Sequence, residues 1–256
     1  MKNKLFRAFL ILLSVLMLFC SCGKKSPAME YNKANDTYTN PKTNIAYRPA
    51  PACYEATSRA GAVARLSKSK DAQMQLYAIQ GVDTSRYLSG YYYELFYASD
   101  VTLPTLRELG AEKALFSKSQ IRDYAFSQID DAAVLSKLVE LYEGVSIDED
   151  LLIFEDGTVR SLDYTLKFAS SDYAMMNYLV DYYSYSKELT VWEPIDSVVD
   201  FPIVYQGFEV TVEEENGQLY AVYHLGTDFL CDRVTRNFYP IGDVLKGYHE
   251  QLGSEG

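Results

Sequence analysis

Apolar residues recur at every second position in "GAVARLS" and in "AQMQLYAI", the period of a strand with one face buried. "GYYYELFYAS" predicts a third strand. There Tyr91, Tyr93, Leu95 and Tyr97 alternate with Tyr92, Glu94 and Phe96, and aromatic rings in both sets imply burial on both faces rather than a platform for a ligand. "TLPTLRELG" predicts a short helix stopped by Gly110, and "KALFSKSQIRDYAFSQI" two further strands. The period then changes. In "DDAAVLSKLVELYEG", Leu135, Leu138, Val139 and Tyr142 give one helix face its apolar stripe. Asp130 or Asp131 can cap the start of that helix, and Gly144 can end it. "LLIFEDGTVRSLDYTLKF" and "FEVTVEEENGQLYAVYHL" predict hairpins turning at Asp156-Gly157 and Asn216-Gly217, dipeptides that accept positive φ. "SDYAMMNYLVDYY" suits a strand or a helix. "FLCDRV" adds a strand, and "PIGDVLKGYHEQL" a closing helix with Pro240 near its first turn. Helices scattered among hairpins predict an α+β fold, mostly antiparallel sheet, over residues 48–256, with a subdivision near 145–150. No internal repeat is present.

The segment 22–47 is polar, carries Pro27 and Pro41 and shows no period, which predicts a flexible tether. Ahead of it, Lys2, Lys4 and Arg7 precede an apolar run from Ala8 to Cys20 interrupted only by Ser14. That run is shorter than the roughly 20 residues a membrane-spanning helix needs, and suits the apolar region of a signal peptide. It ends in Phe19, Cys20, Ser21 and Cys22. The junction resembles the lipobox of bacterial lipoproteins: an apolar residue, a tolerant position, a small residue, then cysteine. Phe19 departs from the leucine more usual at the first place. The resemblance covers the first 22 residues. It implies a signal peptide over 1–21, cleavage between Ser21 and Cys22, and a diacylglyceryl group on Cys22. Membrane lipid is then a partner through the acylated Cys22, and the location is the extracytoplasmic face of the cell membrane. Two acyl chains hold a protein stably where one does not.

Such cleavage removes three positive residues and no acid, taking the net charge from -11 to -14. A chain this acidic repels nucleic acid, which is excluded as a partner, and should repel anionic lipid headgroups. Two cysteines remain, Cys53 and Cys231. In an oxidising compartment they could pair, and closing so long a loop would stabilise the fold by about 4–5 kcal/mol in the chain-entropy picture. The alternative is two separate buried thiols. Their spacing is too wide for a two-cysteine metal site.

Histidine is the most versatile catalyst near neutral pH, and the chain has only His224, in a strand, and His249, near its end. The zinc-protease helix, the nucleophile elbow and the glycine-rich phosphate loop are absent. Ser-x-x-Lys occurs at Ser67–Lys70 and Ser184–Lys187, without the partner motifs that make it an acyl-transfer site. Asp148, Glu149, Asp150, Glu155 and Asp156 are oxygen-rich but fail the calcium-loop spacing. Glu213, Glu214 and Glu215 flank a hairpin tip and should face water. A glycosidase would need two carboxylates opposed in a cleft, which sequence cannot place. No cofactor, metal or catalytic residue is assigned. The expectation is a lipid-anchored envelope protein with a non-enzymatic binding or accessory role, served by an envelope protein partner. The alternatives are a surface hydrolase acting on wall polymer or glycan, and an inhibitor or immunity protein.

Overall fold

The first half of the chain is built from strands of three or four residues. The computed structural model describes residues 26–68, 71–118, 125–197, 205, 207–246 and 248. It contains β1 (Glu30–Asn32), β2 (Thr37–Thr39), β3 (Ala46–Pro49), β4 (Tyr54–Ala56), β5 (Ala62–Arg65), β6 (Gln75–Tyr77), β7 (Tyr87–Ser89) and β8 (Leu95–Ala98). All but β4 form a seven-stranded sheet in the order β1-β2-β3-β8-β7-β6-β5. Its two ends meet. Ala28, just ahead of β1, bridges in parallel to Arg65 on β5, and Met29 N donates to Arg65 O at 2.7 Å. The sheet therefore closes around a small core of Met29, Tyr47, Ala64, Leu76, Leu88, Phe96 and Ala98. Closure removes the exposed edges that short strands could not otherwise protect.

This overturns the expected tether. From Ser26 onward the segment is part of the barrel. Asn32 and Asn40 side chains accept from the backbone N–H groups of Ala34 and Lys42, making the tight turns between β1, β2 and β3. Strands this short are over before a two-residue period can show. "GYYYELFYAS" is likewise extended only over β8: Tyr91 and Tyr92 lie in a turn, and Tyr93 has φ +66°.

The second half is longer-stranded. It comprises α1 (Leu106–Leu109), β9 (Lys113–Lys118), β10 (Ala125–Ile129), α2 (Ala132–Tyr142), β11 (Arg160–Ala169), β12 (Met176–Ile195), β13 (Glu209–Glu215), β14 (Gln218–Cys231) and β15 (Phe238–Pro240). The sheet order is β10-β9-β11-β12-β14-β13, with β15 added to β14 and β4 added to β12. The fold is α+β with mostly antiparallel sheet. Both helices carry their sequence signals. Thr105 and Glu108 form a reciprocal capping box on α1, and Gly110 ends it at φ +59°. Asp131 caps α2 through the N–H groups of Ala133 and Val134. The Asn216-Gly217 turn joins β13 to β14 with φ of +54° and +82°.

Other expectations are resolved or changed. The ambiguous Tyr-rich segment is strand, the 20-residue β12 at the centre of the sheet. Asp156-Gly157 is a turn, but the residues before it make only one bridge, Ile153 to Thr190, so no hairpin forms; β11 pairs with β9 and β12 instead. The closing helix opens with a 3-10 turn, Gly242–Leu245, and Lys246 and Tyr248 are helical, the rest of it lying outside the described residues; Pro240 ends β15 just ahead of that turn. The changeover between sheets falls between β8 and β9, not near 145–150, where the chain on both sides serves the same sheet.

Each face of the second sheet has its own core. Phe116, Leu166, Phe168, Tyr178, Val180 and Tyr182 pack under α2. Tyr183, Tyr185, Val191, Tyr223 and Phe229 pack on the opposite face. Cys53 belongs to the first cluster and Cys231 to the second; both are free buried thiols, so the Cys53–Cys231 bridge is not formed. The sheet lies between them.

Candidate functional site

Strand β4 stitches the two sheets together. It pairs with β12 through Tyr54–Tyr178, Glu55–Asn177 and Ala56–Met176, while Glu55 also bridges to Glu94 ahead of β8. Beside this stitch lies a cavity of about 250 Å³ between the barrel and the second sheet. Ala50, Pro51, Ala52, Tyr92, Tyr93 and Glu94 form its barrel side. Its floor is Ser117, Thr165, Lys167 and Leu179, with Arg233 at the margin.

The floor is polar because of strand alternation. On β11, Leu166 and Phe168 point into the helix-covered core, so Thr165 and Lys167 point the other way. The register aligns Ser117, Thr165 and Asp181 across β9, β11 and β12. Two ion pairs neutralise the charges. Lys167 Nζ donates to Glu55 Oε2 at 2.8 Å, with side chains only 12% and 9% exposed. Arg233 Nε donates to Asp181 Oδ1 at 2.8 Å and its Nη2 to Thr165 Oγ1 at 2.7 Å, while Thr165 donates on to Asp181 at 3.2 Å. Partly buried charges held in such networks keep their geometry fixed, which is what recognition of a polar ligand requires.

Glu94 completes the ring. Tyr92 N donates to its Oε2 at 2.8 Å. Gly90 leaves the room: a Cβ there would collide with that oxygen. Two carboxylates, Glu55 and Glu94, thus belong to backbone partners at one cavity. The aromatic run assigned to the core divides, with Tyr92 and Tyr93 lining the cavity and Phe96 buried in the barrel.

The residues singled out in the sequence are not brought together. Ser21, Cys22 and His249 lie outside the described residues, as does Lys70 of the first Ser-x-x-Lys pair. In the second, Ser184 is buried and donates to Asp228 Oδ1 at 2.6 Å, while Lys187 pairs with Glu155 at 3.2 Å. Asp148 caps a 3-10 turn and Glu149 pairs with Arg236. His224 stands between Glu188 (Nδ1 to Oε2, 3.2 Å) and Thr211 (Nε2 to Oγ1, 3.1 Å). That order of groups is shared with hydrolase triads, but Thr211 is on an exposed strand and the cavity described above does not reach it. Burial raises the Cys231 thiol to about 12, which keeps it from acting as a nucleophile.

Sequence reasoning missed Glu55, Thr165, Lys167, Asp181 and Arg233. Polar residues alternating with apolar ones are the ordinary sign of a solvent face, and only the barrel packed over this one makes it a cavity. No protein-family model, no curated protein and no solved structure matches this chain.

Proposed function

We propose that the chain is a lipid-anchored protein of the bacterial cell envelope that binds a small polar ligand in the cavity between its sheets, without chemistry. The observation that carries the binding half is the cavity itself, walled by two largely shielded ion pairs on a strand floor. Its size suits a compact solute rather than a polymer chain. The anchoring half rests on the order of positive flank, short apolar run and Ser21-Cys22 junction.

A thermal-shift screen of polar solutes tests the binding half. A ligand should raise the melting temperature of the wild type but not that of Ala52→Trp, which fills the cavity from its exposed wall and leaves the ion pairs alone. A solute that stabilises both proteins equally, or none that stabilises the wild type, removes the reading.

One observation favours a second reading, a surface hydrolase: Glu55 and Glu94, partners across one antiparallel bridge, both line the same cavity, and a glycosidic mechanism uses two carboxyl groups. Turnover of wall glycan that disappears in Glu94→Gln would replace binding with catalysis.

A further inference from the structure

Glu55 on β4 and Glu94 ahead of β8 are partners across one antiparallel bridge. Residues directly opposite in such a bridge put their side chains on the same face, about 5 Å apart at Cβ, and like charges so placed repel. The two carboxylates are not matched alike. Glu55 is buried and has its cation, Lys167 Nζ at 2.8 Å. Glu94 is exposed and accepts from a neutral donor, Tyr92 N, at 2.8 Å. Among the described residues no lysine, arginine or histidine comes within ion-pairing distance of it.

The cations around the cavity are engaged elsewhere. Arg233 is paired with Asp181. Arg59 reaches the turn that carries Glu94, with its guanidinium carbon 4.5 Å from the ring centre of Tyr93 and 5.1 Å from that of Tyr91, and it donates to Tyr91 O, but it makes no ion pair with Glu94. Counted by ion pairs, Lys167 and Arg233 stand against Glu55, Asp181 and Glu94, and the site is one cation short. The unmatched carboxylate is the one that solvent reaches, and Tyr92 and Tyr93 line the cavity beside it. Phenol rings attract cations, as Arg59 over Tyr93 already shows at this turn.

We infer that Glu94 is the seat of an ammonium group, so that the cavity takes a small solute bearing a primary amine. This rests on the reading of the cavity as a ligand site and names the class of its ligand. The ammonium donates to the Glu94 carboxylate and offsets its repulsion with Glu55. A neutral amide or hydroxyl in the same place brings a donor without the charge and leaves the two carboxylates opposed. The volume of about 250 Å³ suits an amino sugar or amino alcohol rather than a basic protein segment.

Titration calorimetry on the full chain near neutral pH tests this with matched probes: glucosamine beside N-acetylglucosamine and glucose, and ethanolamine beside N-acetylethanolamine. In at least one set the amine should bind more tightly than its neutral counterparts, by about tenfold. Glu94→Gln keeps an acceptor for Tyr92 N and removes the charge. It should lose that preference, and its melting temperature should not fall, because Glu55 is no longer opposed. The comparison within the wild type stands whatever the stability of the variant. Amine and neutral members binding alike, or only a neutral solute binding in a manner that Ala52→Trp abolishes, overturns the ammonium seat and spares the cavity. An amine preference that survives in Glu94→Gln overturns the assignment to Glu94. No solute of either class binding removes the cavity reading as well.

Discussion

Lys167 Nζ and Glu55 Oε2 meet at 2.8 Å across β12, which β11 and β4 flank in one sheet, with little solvent around either group. The pair ties the stitch strand to the floor of the second sheet. Removing one partner leaves the other charge buried alone, which typically costs about 3–5 kcal/mol, whereas replacing both can be close to neutral. Lys167→Met should therefore destabilise more than the double variant Lys167→Met, Glu55→Leu. Urea unfolding of wild type, both single variants and the double variant measures this. A double variant as unstable as the sum of the singles would mean that the two charges are not coupled.

The two thiols give a simpler prediction. Cys53 and Cys231 are buried on opposite faces of the second sheet, and burial raises both thiols. Neither should react with a thiol reagent in the native protein, and both should react at once on unfolding, without prior reduction. Peptide mapping under non-reducing conditions should find the two peptides unlinked. A linked pair would require one side chain to cross the sheet.

These two regions show what could and could not be read in advance. Helix α2 and the β13–β14 turn were legible because their signals are local: a carboxylate cap, an apolar stripe, an Asn-Gly at a position of positive φ. In the barrel, β5, β6 and β8 fall in stretches whose pattern predicts strands, but β1 to β3 are too short to show a period, and closure depends on Ala28 meeting Arg65 from far along the chain. The cavity was hidden for a related reason. Thr165 and Lys167 look like any solvent-facing pair until Tyr92, Tyr93 and Glu94 are packed above them. The thiols carried no local signal either, since which face a residue takes depends on register.

The α2 cap is a direct test of one legible signal. Asp131 Oδ1 accepts from Ala133 N at 2.8 Å and from Val134 N at 3.3 Å. Asp131→Ala should cost about 1 kcal/mol, and Asp131→Ser should recover most of it. Asp130, its neighbour in sequence, makes no contribution to the cap, so Asp130→Ala should leave the melting temperature within about 0.5 kcal/mol of wild type when expressed as stability.

Asp232 should contribute to the acid limit of stability. Burial works to raise its carboxyl, but hydrogen bonds outweigh that: Tyr142 donates its hydroxyl to Oδ2, and the N–H groups of Thr235 and Val234 donate to Oδ1, each at 2.7 Å. The net effect holds the carboxyl below its ordinary value, and burial together with the same bond raises Tyr142. A carboxyl with a lower value folded than unfolded binds fewer protons in the native state. Its stabilisation is complete above the unfolded value, near 4, and is lost as pH falls through the folded one. Asp232→Asn keeps an acceptor oxygen for the turn but has nothing to titrate. The variant should be less stable than wild type at pH 7, and the gap should narrow below about pH 4. Tyr142→Phe removes one of the bonds that lowers Asp232, so it should move the acid loss to higher pH without abolishing it. Unfolding curves from pH 7 to pH 2.5 for the three proteins decide the matter. A gap between wild type and Asp232→Asn that stays constant across that range would mean that the Tyr142 bond serves packing and not the ionised carboxylate.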